Sequence, residues 1–245
     1  MILKNIGPSG IADCATTRIN RYIYFMKSEL LKPLRECIEQ FEKDYELIPA
    51  GRKHILKQLV TFIENNQREG KLTRLNFICT HNSRRSHLSQ IWAQAAAAHY
   101  GIDDVQCYSG GTEATAFNPR AVRAMGDVGF IIIKSDQSEN PIYHVFFSNA
   151  QKPLIAFSKV YSDAYNPQDG FAAIMTCSHA DENCPVVVGA ATRISLPFND
   201  PKDFDNSPQE MEKYHERVLE IGREICYAFS LLRKTESTAQ LETAI

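Results

Sequence analysis

The chain is expected to adopt an α/β fold with a central parallel sheet, preceded by a helical extension. Three features point there: short apolar runs alternate with helical stretches after Gly70, a strand-like run feeds a polar loop and a helix around Cys79, and two amphipathic stripes precede Gly70. At 245 residues the chain is long enough to bury a full core.

Residues 1–24 carry no clear period. Over 28–47, Leu30, Leu34, Cys37, Ile38, Phe41 and Tyr45 recur at helical steps, and Ile48-Pro49-Ala50-Gly51 breaks the pattern. A second stripe, Ile55, Leu56, Leu59, Val60, Phe62 and Ile63, runs to a stop at Gly70, so 1–70 reads as an extension containing a helical hairpin. Strands are expected at 72–78, 105–108, 130–133, 171–176 and 192–196, in a parallel sheet, with helices at 86–100, 119–126 and 208–232. The segment 138–170 holds two β-rich pieces, 142–147 and 154–161, and is read as an inserted hairpin whose pairing stays open. The main domain then spans 71–233, and the polar tail 234–245 is expected to fray.

Charge narrows the function. With 27 Lys and Arg against 29 Asp and Glu, no net field is present to hold nucleic acid or an anionic membrane, so an anion site must be local. The sequence contains no apolar run long enough for a spanning helix, and its start lacks the apolar core of a signal segment, so a cytoplasmic protein is expected. Its seven cysteines are an odd number scattered over a large chain, unlike the framework of a small secreted protein. In a reducing compartment, paired cysteines point to chemistry or metal before they point to staples.

The loop Cys79-Thr80-His81-Asn82-Ser83-Arg84-Arg85-Ser86 carries the clearest signal. A strand ending at Ile78 and a helix starting near Ser86 put backbone N–H groups at a helix N-terminus, which favours anions. The same potential, with Arg85, favours the thiolate of Cys79, the nucleophile that phosphate-like chemistry needs. Arg85 can return across the loop and offer a bidentate fork to an oxyanion. Such a Cys-to-Arg spacing arises readily by chance, but of the seven cysteines only Cys79 has it, and only Cys79 combines it with the carboxyl end of a strand, where open α/β sheets place ligands. The bland reading is a core cysteine followed by a solvated basic turn.

These residues resemble the low-molecular-weight protein tyrosine phosphatases and the thioredoxin-coupled arsenate reductases that share their fold. The resemblance runs over about 72–204 and rests on the loop CTHNSRRS, Trp92, the stretch SGGTEATAFNPRAVRAMGDVG at 109–129, and FNDP at 198–201. It implies a low-molecular-weight phosphatase-like three-layer fold in which Cys79 is the nucleophile, Asn82 holds the loop, Arg85 binds the oxyanion, Ser86 hydrogen-bonds the thiolate and Asp200 protonates the leaving oxygen. Asp200 also makes chemical sense alone, since displacement at phosphorus or arsenic needs a proton on the departing oxygen, and it is preferred to Asp203 and Asp205. Four positions depart from the family pattern: His81 stands where glycine is usual, Arg84 where the reductases often have cysteine, His87 where they often have glutamine, and Gln90 in place of an acidic residue common in members that bind a monovalent cation. Arg84 is read as a second anion contact or a solvent-facing side chain.

A second cassette, Cys177-Ser178-His179-Ala180-Asp181-Glu182-Asn183-Cys184-Pro185, follows the strand at 171–176. Cys177 therefore also stands at the carboxyl edge of the sheet, and the residues between the cysteines suit a short, weakly anchored helix or loop that lets Cys184 approach Cys177. The cassette resembles the redox segment of the thioredoxin-coupled reductases, which implies a Cys79, Cys177, Cys184 disulfide relay recycled by thioredoxin or a similar thiol reductant. Zinc held by Cys177, His179 and Cys184, a static disulfide, and inert buried thiols are the competing readings. No cofactor or metal is expected. His81, His87 and His179 are read as polar loop histidines, and Cys14, Cys37, Cys107 and Cys226 as packing or surface thiols. The expected activity is reduction of arsenate to arsenite. The alternatives are a protein tyrosine phosphatase acting through a phosphocysteine, and a non-catalytic sensor of anions or oxidation. The helical hairpin and the insertion have no counterpart in the minimal fold, and each is a candidate to cover the site, recruit a partner or form a homodimer.

Overall fold

The computed structural model describes residues 30–242, so Cys14 and residues 1–29 lie outside it. The chain forms α1 (Lys32–Lys43), α2 (Ala50–Arg68), β1 (Thr73–Cys79), α3 (Arg85–Tyr100), β2 (Val105–Gly111), α4 (Pro119–Asp127) and β3 (Ile131–Lys134). There follow β4 (Tyr143–Phe146), β5 (Leu154–Ala156), β6 (Phe171–Met175), α5 (Ser178–Asn183), β7 (Ala190–Ser195) and α6 (Glu210–Glu242). The last helix thus runs on past 232, through most of the expected tail.

Four strands make an all-parallel sheet in the order β2-β1-β6-β7. Their continuous apolar runs suit a sheet covered on both faces, and all of β6 is buried. Alternation divides the side chains: Leu75, Phe77, Ala172 and Ile174 join the large core under the helices, while Ile78, Phe171, Ala173 and Met175 join a smaller cluster on the other face with Cys79, Cys177 and Ala180. Helices, sheet, and the α5 side therefore form three layers.

The run at 130–133 departs from expectation. As β3 it leaves the parallel sheet and forms a separate antiparallel sheet, β3-β4-β5, with the two pieces of the insertion. Half-exposed Ile131 and Ile133 explain why, since a strand in the central sheet would bury both faces.

The two leading helices dock on the main domain. Leu34, Ile38 and Phe41 of α1 and Leu56, Leu59, Val60 and Ile63 of α2 are buried in the large core with α3 and α6. Phe41 meets Trp92 edge to face at 5.3 Å. Contact is close enough to require glycine at 222, where a Cβ would lie 2.6 Å from Trp92 and 2.8 Å from Phe41. The apolar stripes of α1 and α2 thus face the chain's own core. Among the described residues, no helix is long and apolar enough to cross a membrane.

Candidate active site

Parallel pairing of β1 with β6 sets Ile78 beside Met175, so Cys79, the last residue of β1, and Cys177, two residues past β6, stand at the same edge of neighbouring strands. The helix after β1 leads to β2 on one side, while β6 lies on the other, which makes this the point where strand order reverses.

Residues 80–84 form the loop between Cys79 at the end of β1 and α3. The carbonyls of Cys79, Thr80 and Ser83 accept from the N–H groups of Thr112, Glu113 and Asn118, and the carbonyl of His81 accepts from the hydroxyls of Thr115 and Ser158. A planar trans peptide points its N–H opposite its C=O, so carbonyls pinned to this wall turn the following N–H groups away from it. Asn82 takes a left-handed backbone, φ 44°, and its amide bridges two walls: Nδ2 donates to Ser86 Oγ at 2.8 Å, and Oδ1 accepts from the Lys159 N–H at 2.9 Å. Ser86 Oγ in turn lies 3.1 Å from Cys79 Sγ. Gly111 is required here, because a Cβ would fall 2.1 Å from the Glu113 carbonyl and 2.7 Å from both the Asn82 nitrogen and the Thr80 carbonyl.

Arg85 begins α3 and reaches Asp200, Nη2 to Oδ2 at 2.5 Å, while its Nη1 donates to the Phe198 carbonyl at 3.1 Å. The guanidinium and the carboxylate expected to act together are therefore joined across the loop. Asp200 itself caps the short turn Pro201–Phe204 by accepting from the Lys202 N–H.

Arg84 does not face solvent: Tyr214 and Asp205 hold its guanidinium, with Nε donating to the Tyr214 hydroxyl at 2.7 Å and lying 4.0 Å from an Asp200 carboxylate oxygen. That hydroxyl donates to Asp205 at 2.7 Å. His87 differs from a polar loop histidine too. It is fully buried in α3, stacked on Phe117 with centroids 4.2 Å apart, and burial holds it well below the ordinary imidazole range. Gln90 is buried beneath the loop and donates to the Cys107 carbonyl.

Cys177 caps α5, with the Ala180 N–H donating to its sulfur at 3.4 Å. Cys177 is fully buried, and Cys79, Cys177 and the half-buried Cys184 share the smaller apolar cluster. The segment is more firmly anchored than expected: Asp181 accepts from Ser195 at 2.6 Å and pairs with Arg193, whose Nε also donates to the Cys184 carbonyl. Cys177, His179 and Cys184 do not converge for zinc, and among the described residues no group of three or more His, Cys, Asp and Glu is arranged to hold a metal.

Several supports carried no local signal in the sequence. Lys159, only 2 % exposed, holds Asn82 through its backbone, and its ammonium lies 4.4 Å from the Phe157 ring centre and 5.3 Å from that of Tyr165. Burial pushes that ammonium down to about 8. Arg52 of α2 forks onto Glu224, donates to the Pro197 carbonyl at 2.9 Å and lies over the Phe198 ring, so the N-terminal extension buttresses the segment leading to Asp200.

The sequence model of the family described as low molecular weight phosphotyrosine protein phosphatase matches residues 74–139. An arsenate reductase from Shouchella clausii is 31% identical over 150 residues, covering 61% of this chain and 89% of its own. An arsenate reductase from Bacillus subtilis strain 168 has the same identity and coverage. The crystal structure of a low-molecular-weight phosphotyrosine phosphatase from Vibrio cholerae O395 matches with a TM-score of 0.43 and 14% identity, covering 64% of this chain and 94% of that one.

Proposed function

The chain belongs to the family that joins low-molecular-weight phosphotyrosine protein phosphatases to arsenate reductases, and from that premise we propose that it reduces arsenate to arsenite in the cytoplasm with Cys79, Cys177 and Cys184 as successive thiols. Arsenate sits against the loop N–H groups and the Arg85 fork. To reach that fork it displaces Asp200, whose carboxyl then serves as the proton donor to the departing oxygen. The Cys79 thiolate bonds to arsenic, an arsenic–oxygen bond breaks, and the oxygen leaves as water with the proton from Asp200. Cys177 then bonds to the Cys79 sulfur. The sulfur–arsenic bond breaks with its electron pair on arsenic, which passes from arsenic(V) to arsenic(III) and leaves as arsenite. Cys184 attacks Cys177, frees Cys79, and leaves a disulfide for thioredoxin or a similar dithiol to reduce.

One observation carries this reading: all three thiols share a single small apolar cluster at the carboxyl edge of the sheet. An oxyanion hydrolase needs only the first. Reduced protein should consume thiol reductant when given arsenate. Cys177→Ser and Cys184→Ser should each abolish that consumption and leave hydrolysis of an aryl phosphate within about twofold, since the nucleophile, Arg85 and Asp200 stay in place. The second reading, a phosphatase using Cys79, Arg85 and Asp200 alone, is favoured by the Arg85–Asp200 pairing across the loop. It prevails if wild-type protein hydrolyses the aryl ester and arsenate draws no electrons from thioredoxin.

A further inference from the structure

Thr80 ties the second cysteine segment to the oxyanion loop. Its hydroxyl lies 3.5 Å from Cys177 Sγ and 3.3 Å from His179 Nδ1, so a line of contacts leads from a buried thiol to an imidazole at the surface. A hydroxyl can accept a hydrogen bond from one neighbour while donating to the other. Cys177 therefore has a polar exit for its proton although it is sealed from solvent.

The chemistry proposed above requires such an exit. Thiol–disulfide chemistry proceeds through the thiolate, and burial among Ile78, Met175 and Val187 gives a thiolate no water. Imidazole is the side chain that exchanges protons near neutrality. We infer that His179 is a positioning residue that draws the Cys177 proton through Thr80, so that Cys177 becomes a nucleophile when Cys79 carries the adduct. The inference rests on the reductase reading. As the Cys177 proton moves to Thr80 Oγ1, the Thr80 proton moves to His179 Nδ1 and from there to solvent. The Cys177 sulfur bonds to Cys79, the sulfur–arsenic bond breaks, and its electron pair stays on arsenic. The Ala180 N–H, already directed at the Cys177 sulfur, steadies the charge that forms.

Other ionisable groups surround this line. On α5 itself are Asp181, held by Arg193 and Ser195, and Glu182, with Cys184 at its end. β1 packs against α5 and carries Arg74 and Cys79, while β6, also packed there, has no ionisable side chain. The loop adds His81, which is 3.9 Å from Glu113, together with Arg84 and Arg85, which are paired to Asp205 and Asp200. Thr80 nonetheless meets Cys177 and His179 directly.

The test uses Cys184→Ser protein, which halts at the first disulfide. After mixing with arsenate and quenching in acid, the rate of Cys79–Cys177 disulfide formation is followed from about pH 5.5 to 8.5. His179→Gln should move the rise in rate toward alkaline pH and slow the step about tenfold at neutrality, which corresponds to about 1.4 kcal/mol. Thr80→Val should do the same, and Thr80→Ser, which keeps the hydroxyl, should restore the parent profile. Coincident profiles for His179→Gln and the parent would overturn the inference. If the parent forms no disulfide with arsenate, the reductase reading itself fails, and the thiolate ultraviolet absorbance of Cys79→Ser/Cys184→Ser protein still decides. A Cys177 titration moved upward by His179→Gln and Thr80→Val supports the relay, and an unmoved one overturns it.

Discussion

At the scale of single residues, Lys159 is the most unusual feature. This buried lysine is held by two aromatic rings and the Phe157 carbonyl, with the charge of Asp163 only partly offsetting its burial. Its folded value of about 8 lies below the ordinary 10.5, so between these values the unfolded chain binds the proton more tightly than the folded one. Below pH 8 both states are charged and burial costs on the order of 3 kcal/mol; as pH rises from 8 to 10.5 the folded chain sheds the proton and the cost fades. Lys159→Met should therefore stabilise the protein at pH 7 by about 1–3 kcal/mol, after the lost ring contacts, with an advantage that shrinks through that alkaline window. Denaturant unfolding at a series of pH values checks it, and destabilisation at pH 7 would mean the ring and carbonyl contacts outweigh the burial of charge. The contacts within the loop were legible because they are local: Cys79, Asn82, Arg85 and Ser86 lie within eight positions. Lys159 was not, because it meets Asn82 across 77 residues of chain and nothing in its own neighbourhood marks it as buried.

At the scale of elements, the N-terminal helices act on the site through Arg52. It reaches the Pro197 carbonyl over 145 residues and lies over Phe198, whose own carbonyl accepts from Arg85. Arg52→Met would leave Glu224, 3 % exposed, buried without its partner, and would loosen the segment before Asp200. The expected outcome is a loss of about 3–5 kcal/mol in stability and, in protein that stays folded, a fall in kcat larger than the change in KM. Arg52→Met/Glu224→Leu should regain much of the stability and less of the rate, which chemical denaturation and steady-state kinetics separate. Periodicity was sufficient to find α1 and α2, since their apolar positions recur at helical steps. It failed for β3, whose four residues match a buried strand in composition while the neighbours that decide its sheet, β4 and β5, lie in the insertion. It also failed for His87, because nearly every face of α3 is buried and no polar stripe separates inside from outside.

At the scale of the whole molecule, the extension and the phosphatase-like domain share one large core, and the interface turns on Gly222. Gly222→Ala would drive a methyl into Trp92 and Phe41, aromatic bodies packed against Phe130 and α6. A loss of about 1–3 kcal/mol is expected, read as a lower midpoint in thermal or chemical unfolding. A neutral substitution would mean that α1 is free to shift. The fold class was legible because strand and helix patterns alternate along the main domain, and the three layers followed from the family resemblance. The way the insertion turns back to hold the loop through Ser158 and Lys159 was not, because such contacts depend on a return path that no local pattern encodes.

The central claim, that Cys79 is the first of three thiols acting in sequence, is tested most directly by mapping disulfides. Fully reduced protein is mixed with arsenate without external reductant, quenched in acid, alkylated and analysed by mass spectrometry. The expected result is a Cys177–Cys184 bond in wild-type protein and a Cys79–Cys177 bond in Cys184→Ser, with one arsenite released per disulfide. Arsenite release with Cys79 absent from every trapped bond, or no disulfide among the three thiols at all, would contradict it.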